Sequence, residues 1–384
     1  MTAPAPARPR PRTRFHPLPV AAVRPAAADG SAVLITLRVP PELRAGFAFA
    51  PGQHLVVRAD LDGAEARRSY SLCSVPAELA RDGTLRIAVR AVDGGAYSSY
   101  ATRRLRPGDL VEALPPAGRF ALAPGDPGRG RGRRIAALAA GSGITPLLSM
   151  AAAVLAAEPD STVTLLAGDR GADTAMLTEE LADLKDRHRH RLRVLRVFSR
   201  EERQAGLPAG RLDRAGLRAL LPRLLPAGAH EWYVCGPPGM VEAAEEVLAE
   251  RGTAHVRTEL FTTRALPAGP PPAPPRPPDG SAGSAGAEVA AAGCELTVRL
   301  DGRSSVLRVP AGANVLDAAL AARPETPYSC RTGVCATCRA KVVLGRVDTE
   351  GSLALGADES ADGYVLTCRS TVGGERVTVD FDAL

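Results

Sequence analysis

The chain has 384 residues, 45% of them hydrophobic and 4% aromatic, with a formal net charge of +6. That length calls for two or three domains, and no uninterrupted apolar run reaches the roughly eighteen residues that a membrane-spanning helix needs. The positive charge is almost all arginine, with Lys185 and Lys341 the only lysines; with so few aromatics for base stacking, it reads as a composition bias and not as a nucleic-acid surface.

Residues 1–14, MTAPAPARPRPRTR, lack an apolar h-region and read as a disordered tail rather than a signal peptide. Short alternating segments follow at 32–39, 54–61, 85–92 and 109–116, separated by the turn signals PPELRAG, DGAEA, RDGT and RPGD. Strands at that spacing predict a small antiparallel barrel. From residue 130 the pattern changes to alternating strands and helices. Strands are expected at 134–141, 162–168, 191–199 and 231–236, and helices at 144–157, 174–188, 213–224 and 239–252. This alternation predicts a parallel sheet with helices on both faces. Residues 266–293 are Pro-rich, then Gly/Ala/Ser-rich, and read as a linker. The last part opens with a hairpin turning at Asp301-Gly302, continues with a helix over 314–323, and adds short strands around 340–347, 363–368 and 376–381. That combination predicts an α+β domain.

Seven cysteines, unevenly spread, argue for a reducing compartment, the cytoplasm, and for ligation rather than a disulfide framework. Four of them carry the strongest signal. Cys330, Cys335 and Cys338 follow the spacing C-x4-C-x2-C, and Cys368 comes later. This is the plant-type [2Fe–2S] pattern, in which three thiolates come from one tight loop and a fourth from elsewhere. A zinc site would more often pair two C-x2-C units. The segment from 294 to 384 resembles a plant-type ferredoxin domain, which implies a β-grasp fold.

Three further motifs resemble the ferredoxin–NADP reductase-like family. RRSYSLCS (67–74) is similar to its flavin motif. The resemblance implies that Arg68 meets the FAD pyrophosphate, that Tyr70 lies on the isoalloxazine, that Ser71 bonds near N5 and that Ser74 closes the motif. GGAYSSY (94–100) resembles the second pyrophosphate loop, where Gly95 and Ser98 would offer donors. GSGITP (141–146) sits where a strand turns into a helix. Gly141 and Gly143 there allow close backbone approach to phosphate, and Thr145 would supply a hydroxyl. YVCGPPGM (233–240) would bring Cys235 and Gly236 near the nicotinamide, and in TELFTT (258–263) Phe261 would cover a flavin face. Arg170, Ser199 and Arg200 lie just past the second and third strands of the parallel sheet, where they could grip a 2′-phosphate and favour NADPH, with Asp169 as a counter-signal. Cys73 reads as packing, and Cys294 as incidental.

The expected architecture is therefore multidomain: an antiparallel β-barrel FAD domain (15–125), an α/β parallel-sheet nucleotide domain (130–265), and an α+β β-grasp [2Fe–2S] ferredoxin domain (294–384). The expected activity is electron transfer from NADPH through FAD and the cluster to a partner. Tyr70, Ser71 and Cys235 are the candidate catalytic residues. The domain order resembles reductase components of multicomponent oxygenases, and FHPLPVAAVR (15–24), PGQHLVVRA (51–59) and GVCATCRAKVV (333–343) resemble the phenylacetyl-CoA epoxidase reductase family. That resemblance implies a di-iron oxygenase as the acceptor. Two alternatives stay open: the reductase of another oxygenase, such as a steroid hydroxylase, and a low-turnover redox-sensing module.

Overall fold

The computed structural model describes residues 14–122, 132–201, 210–224, 231–253, 255–261, 293–351 and 354–383. They fall into two compact units, one within residues 15–265 and the other formed by the C-terminal residues from 266 onward. Nearly all of the expected tail (1–14) and linker (266–293) lies outside the described residues.

The first unit begins with six antiparallel strands: β1 (His16–Pro25), β2 (Ala32–Arg38), β3 (His54–Leu61), β4 (Ala64–Ser71), β5 (Thr84–Arg90) and β6 (Leu110–Ala113). Their order is β4-β3-β6-β1-β2-β5, and a bridge between Leu72 and Ile87 brings the two ends together. The inward residues Leu18, Ile35, Leu37, Leu55, Val57, Leu85 and Ile87 are almost fully buried. Two short helices join the strands, α1 (Pro76–Asp82) and α2 (Ala96–Arg103). Neither is predicted by the alternating pattern.

Two barrel strands differ from expectation for local reasons. β1 contains three prolines, which argue against a strand. Yet residues 16–19, with Pro17 and Pro19, pair with β6, and residues 22–25, with Pro25, pair with β2, while Val20 at the junction is engaged on both sides; the prolines therefore fall where half of the backbone groups need no ladder partner. The DGAEA segment is a turn only at Asp62 and Gly63, both left-handed with φ of 57° and 82°. A two-residue turn of that kind suits a tight hairpin, and β4 starts at once at Ala64.

The parallel sheet contains β7 (Arg134–Ala140), β8 (Thr162–Asp169), β9 (Leu192–Phe198), β10 (Glu231–Gly236) and β11 (Val256–Leu260), in the order β11-β10-β7-β8-β9. Helices α3 (Ile144–Ala157), α4 (Thr178–Arg187), α5 (Arg214–Leu224) and α6 (Pro238–Glu250) alternate with them. Helix α4 starts four residues later than its periodicity predicts. Leu177 adopts φ 55° and donates its N–H to the barrel carbonyl of Ala26 at 2.8 Å, which holds it out of the helix.

Barrel and parallel sheet each have a core of their own and share a third cluster. Ala26, Ala27, Ala32, Leu34, Cys73 and Ala88 of the barrel cluster with Leu147, Met150, Leu165, Met176 and Tyr233. The Ser149 hydroxyl donates to the Ser74 carbonyl at 2.6 Å. Asp169, with a nearly buried side chain, sits between Arg90 of β5 (3.9 Å) and Arg196 of β9 (3.7 Å).

The C-terminal unit has a five-stranded sheet in the order β13-β12-β18-β14-β16, and a separate pair, β15-β17. Its elements are β12 (Cys294–Leu300), β13 (Arg303–Val309), α7 (Val315–Ala322), β14 (Arg339–Leu344), β15 (Val347–Thr349), α8 (Ala357–Ala361), β16 (Tyr364–Leu366), β17 (Ser370–Val372) and β18 (Arg376–Asp380). First and last strands run parallel at the centre, beside the hairpin and under one main helix. Cys294 is not incidental: it is fully buried in this unit's core. Among the described residues no helix is long and apolar enough to cross a membrane.

Gly52 has φ 100°, and a Cβ there would fall 2.2 Å from the Phe120 carbonyl oxygen and 2.3 Å from Met150 Cε of α3. Gly52→Ala should therefore destabilise the first unit by about 1–3 kcal/mol. Thermal melting followed by circular dichroism would show the loss as a lowered Tm for that unit, with the C-terminal unit unchanged.

Candidate active site and cluster-binding loop

The first site forms where the barrel meets the ends of β10 and β11. β4 presents Arg68, Tyr70 and Ser71 along its last four residues. Opposite them, β10 ends in Cys235 and Gly236, and β11 pairs with it in parallel so that Glu259 stands directly beside Cys235. The Ser71 hydroxyl donates to Glu259 Oε2 at 3.3 Å, and the Cys235 thiol lies 3.8 Å from the same oxygen. A hydroxyl, a thiol and a carboxyl from three strands thus converge on one point.

Burial sets the protonation of this group. It pushes the Glu259 carboxyl up to about 8, against the opposing hydrogen bonds from Ser71 and Cys235. The Cys235 thiol is held well above its ordinary range by burial and by the neighbouring carboxyl. Glu259 is the residue that the motif reading passed over. Its signal was present, because it opens the same E-x-F segment from which only Phe261 is singled out. Phe261 itself is partly buried against the shared core, and its N–H donates to Gly236 O at 2.7 Å.

Around this point stand the other flavin candidates. The Tyr70 ring lies 5.7 Å from the ring of Tyr97, whose hydroxyl is buried without a hydrogen-bond partner. Burial raises both phenols. Arg68 donates to the Arg67 carbonyl at 2.7 Å, and no carboxylate pairs with it among the described residues. It is a cation free to meet an anion.

Three of the candidate hydroxyls are engaged by the protein's own backbone. Ser74 is fully buried, and its Oγ accepts from Arg86 N at 3.0 Å. Ser98 Oγ accepts from Val92 N at 3.1 Å and donates to Gly95 O at 3.1 Å. Thr145 is buried and donates to Ser142 O at 2.9 Å. All three shape their loops and are not offered outward as side-chain donors. The glycines are needed for space: a Cβ on Gly95 would fall 2.5 Å from Ser98 Oγ, and one on Gly143 would fall 2.1 Å from Cys235 O. Gly141 is left-handed, with φ 55° and open space around it. A Cβ on Gly236 would meet Met240 and Ala140.

At the far end of the parallel sheet, Arg170, Ser199 and Arg200 are exposed and adjacent. Arg200 N donates to Arg170 O at 2.9 Å, and Ser199 N to Asp169 O at 3.0 Å. Asp169 is not available to a ribose, because Arg90 and Arg196 hold its carboxylate. Its carboxyl is nonetheless raised to about 6, since burial outweighs the two cations.

The second site is the loop between α7 and β14. Three of its residues are left-handed, Arg331 (φ 59°), Gly333 (φ 83°) and Ala336 (φ 52°), so the chain winds tightly around the three cysteines. Cys330 and Cys335 lie within hydrogen-bonding reach of each other, as do Cys338 and Cys368. Backbone amides turn to sulfur: Thr332 N donates to Cys330 Sγ at 3.3 Å. The hydroxyl of Ser329 is buried and unpartnered. No three His, Cys, Asp or Glu side chains converge on a single ion among the described residues. Two pairs of thiols, with amides aimed at sulfur, instead suit a two-iron cluster.

These two sites define a class: a flavin- and nicotinamide-binding reductase that carries its own iron–sulfur domain. Comparison with known proteins bears this out. A model of an oxidoreductase FAD-binding domain matches residues 31–122, one of an oxidoreductase NAD-binding domain residues 137–246, and one of a 2Fe-2S iron-sulfur cluster binding domain residues 298–373. The chain is 38% identical to one of the subunits of the 1,2-phenylacetyl-CoA epoxidase of Escherichia coli (strain K12), over 97% of this chain and 99% of that protein. It is 30% identical to the ferredoxin reductase component of the 3-ketosteroid-9-alpha-monooxygenase of Rhodococcus rhodochrous, over 95% and 96% of the two chains. Phthalate dioxygenase reductase shares the fold, with a TM-score of 0.52 at 23% identity over 96% of this chain and 98% of that one. The chain belongs to the ferredoxin-reductase-type family of oxygenase reductase components, and it transfers electrons from NAD(P)H through FAD to a [2Fe–2S] cluster.

The raised Glu259 carboxyl has a consequence for stability. A folded-state value of about 8 against an ordinary 4.5 means that its contribution is fully present below 4.5 and is lost as pH rises through 8. Glu259→Gln removes this loss. Melting curves of the flavin-free protein should show the variant gaining on the parent between pH 5 and 9; a constant difference would show that Glu259 ionises normally.

Proposed function

We propose that this chain is the reductase of a di-iron phenylacetyl-CoA 1,2-epoxidase, that it prefers NADPH, and that it works in the cytoplasm, where its seven unpaired thiols stay reduced. The acceptor is inferred from the 38% identity to the epoxidase component over nearly the whole of both chains. The lower identity to the ketosteroid relative makes a steroid hydroxylase the second reading.

In this reading residues 15–125 hold FAD, 130–265 hold the nucleotide, 266–293 act as a tether and 294–384 carry the cluster. The bound cofactors supply hydride acceptance and one-electron transfer, and the protein supplies position and charge. Arg68 binds the flavin pyrophosphate, aided by the loop that Gly95 and Ser98 shape. Tyr70 covers the isoalloxazine, and Phe261 closes the site from the other domain. Ser71 and Cys235 mark where hydride donor and acceptor meet. Glu259 orients both and, being protonated at neutral pH, adds no negative charge there. Gly141 and Gly143 let the nucleotide phosphates approach the start of α3, with Thr145 bracing the turn, and Gly236 leaves room at the nicotinamide end. Ser74 locks β4 to β5 and to α3. Cys330, Cys335, Cys338 and Cys368 hold the irons in the two pairs described.

The NADPH preference rests on one observation: two arginines without carboxylate partners among the described residues stand side by side, and the nearby acid is sequestered. A charge-assisted contact is worth about 1.5–3 kcal/mol. Arg200→Ala should therefore raise the KM for NADPH roughly 10- to 150-fold, with the KM for NADH unchanged. The partner is tested by reconstitution. Purified reductase should support NADPH-dependent epoxidation of phenylacetyl-CoA by the di-iron oxygenase components; reduction of ferricyanide without epoxidation would move the assignment to another oxygenase.

A further inference from the structure

The cluster loop is surrounded by arginines, and they are not equivalent. Arg331 pairs with Asp317 at 2.6 Å. Arg339 pairs with Glu359 at 3.0 Å and stacks over the Tyr364 ring. Each charge is offset by its own carboxylate. Arg369 follows Cys368 directly, is half-buried, and pairs with no carboxylate among the described residues. Its Nε donates to the Glu350 carbonyl at 3.0 Å, and Glu350 N donates back to the Arg369 carbonyl at 3.0 Å.

This bond lays the side chain across the loop. A Cβ built on Gly333 would fall 3.0 Å from Arg369 Cγ and 3.7 Å from its Cδ, and one built on Gly351 would fall 3.5 Å from its Nη2. Gly333 lies between Cys330 and Cys335, so the arginine spans from the fourth cysteine to the loop that holds the first three. Its methylenes cross the loop of the first three cysteines at Gly333, and its guanidinium is fixed beside Gly351 by the Glu350 carbonyl.

We propose that Arg369 is the uncompensated positive charge of the cluster site and that it raises the reduction potential of the bound [2Fe–2S] group. The proposal rests on the cluster assignment and adds a named electrostatic determinant to it. Reduction adds one electron with no bond made or broken, so the site becomes more negative by one charge. A fixed cation at close range favours the more negative state, and a half-buried one is screened less than a surface charge. The two paired arginines bring their carboxylates with them and offset much of their own effect.

The test compares the full-length holoprotein with Arg369→Gln, Arg369→Lys and Arg369→Met. Iron and sulfide content, with the electron paramagnetic resonance signal after dithionite reduction, first establishes loading; a parent protein without that signal refutes the cluster assignment itself. The midpoint potential is then measured by dye-mediated titration of the visible absorbance. Gln keeps a donor for Glu350 O but removes the charge, Met keeps the packing over Gly333, and Lys keeps the charge. The expected result is a more negative potential for Gln and Met, with Lys close to the parent. Unchanged potentials in the neutral variants overturn the proposal. So does an equal shift in all three, which would make Arg369 a mechanical clamp, and so does slower reduction of an external acceptor at unchanged potential, which would make it a docking residue. Should Gln fail to load, Met and Lys carry the same comparison.

Discussion

Hydride transfer tolerates little error in distance, so everything in the first unit depends on holding a barrel and a parallel sheet in one fixed relation. The shared apolar core does this. Each layer has a core of its own, but barrel residues such as Leu34 and Cys73 pack in one further cluster with Leu147 and Leu165, which binds the two layers together. Polar contacts then set the register: Ser149 to the Ser74 carbonyl, Leu177 to the Ala26 carbonyl, and Asp169 between arginines of both layers. The result is that Ser71, from an antiparallel strand, meets Cys235 and Glu259, from parallel ones. Cys73 lies within the flavin motif yet belongs to this packing, with its thiol donating to Arg86 O at 3.4 Å.

The class of each layer was legible in the sequence because it depends on period and on glycine. Alternating apolar residues announce the barrel, and apolar runs between helices announce the parallel sheet. The cysteine spacing was legible for a stronger reason, since few other sites need three thiols in nine residues. What escaped was whatever tertiary contact decides. β1 hides behind its prolines, which are harmless only because they fall where the strand pairs on one side. The start of α4 is decided by the carbonyl of Ala26, far earlier in the chain. Ser74, Ser98 and Thr145 carry the hydroxyls that the motifs ask for, but a motif cannot say where a proton is donated. Glu259 is the converse case: its importance comes from standing in register with Cys235 across two parallel strands, a relation no local pattern contains.

The protonation states at the first site also bear on what kind of chemistry it performs. A cysteine at the end of a strand, beside a carboxyl and a hydroxyl, invites comparison with a nucleophilic triad. The electrostatics run the other way. A nucleophilic thiol needs a depressed pKa and a nearby cation or base, whereas Cys235 is fully buried, pushed well above its ordinary range, and faces a carboxyl that is itself raised to about 8. At neutral pH the group is a thiol, a carboxylic acid and a hydroxyl, none charged. Such a surface attacks nothing and repels little. It can seat a flat, nearly neutral ring against another and leave the electron pair to pass between them, which is the work of a reductase. Charge is concentrated instead at the periphery, in Arg68 on one side and Arg170 with Arg200 on the other, where phosphates would be held. Under the proposed assignment, an uncharged centre and a cationic rim would separate recognition of the cofactors from the transfer itself.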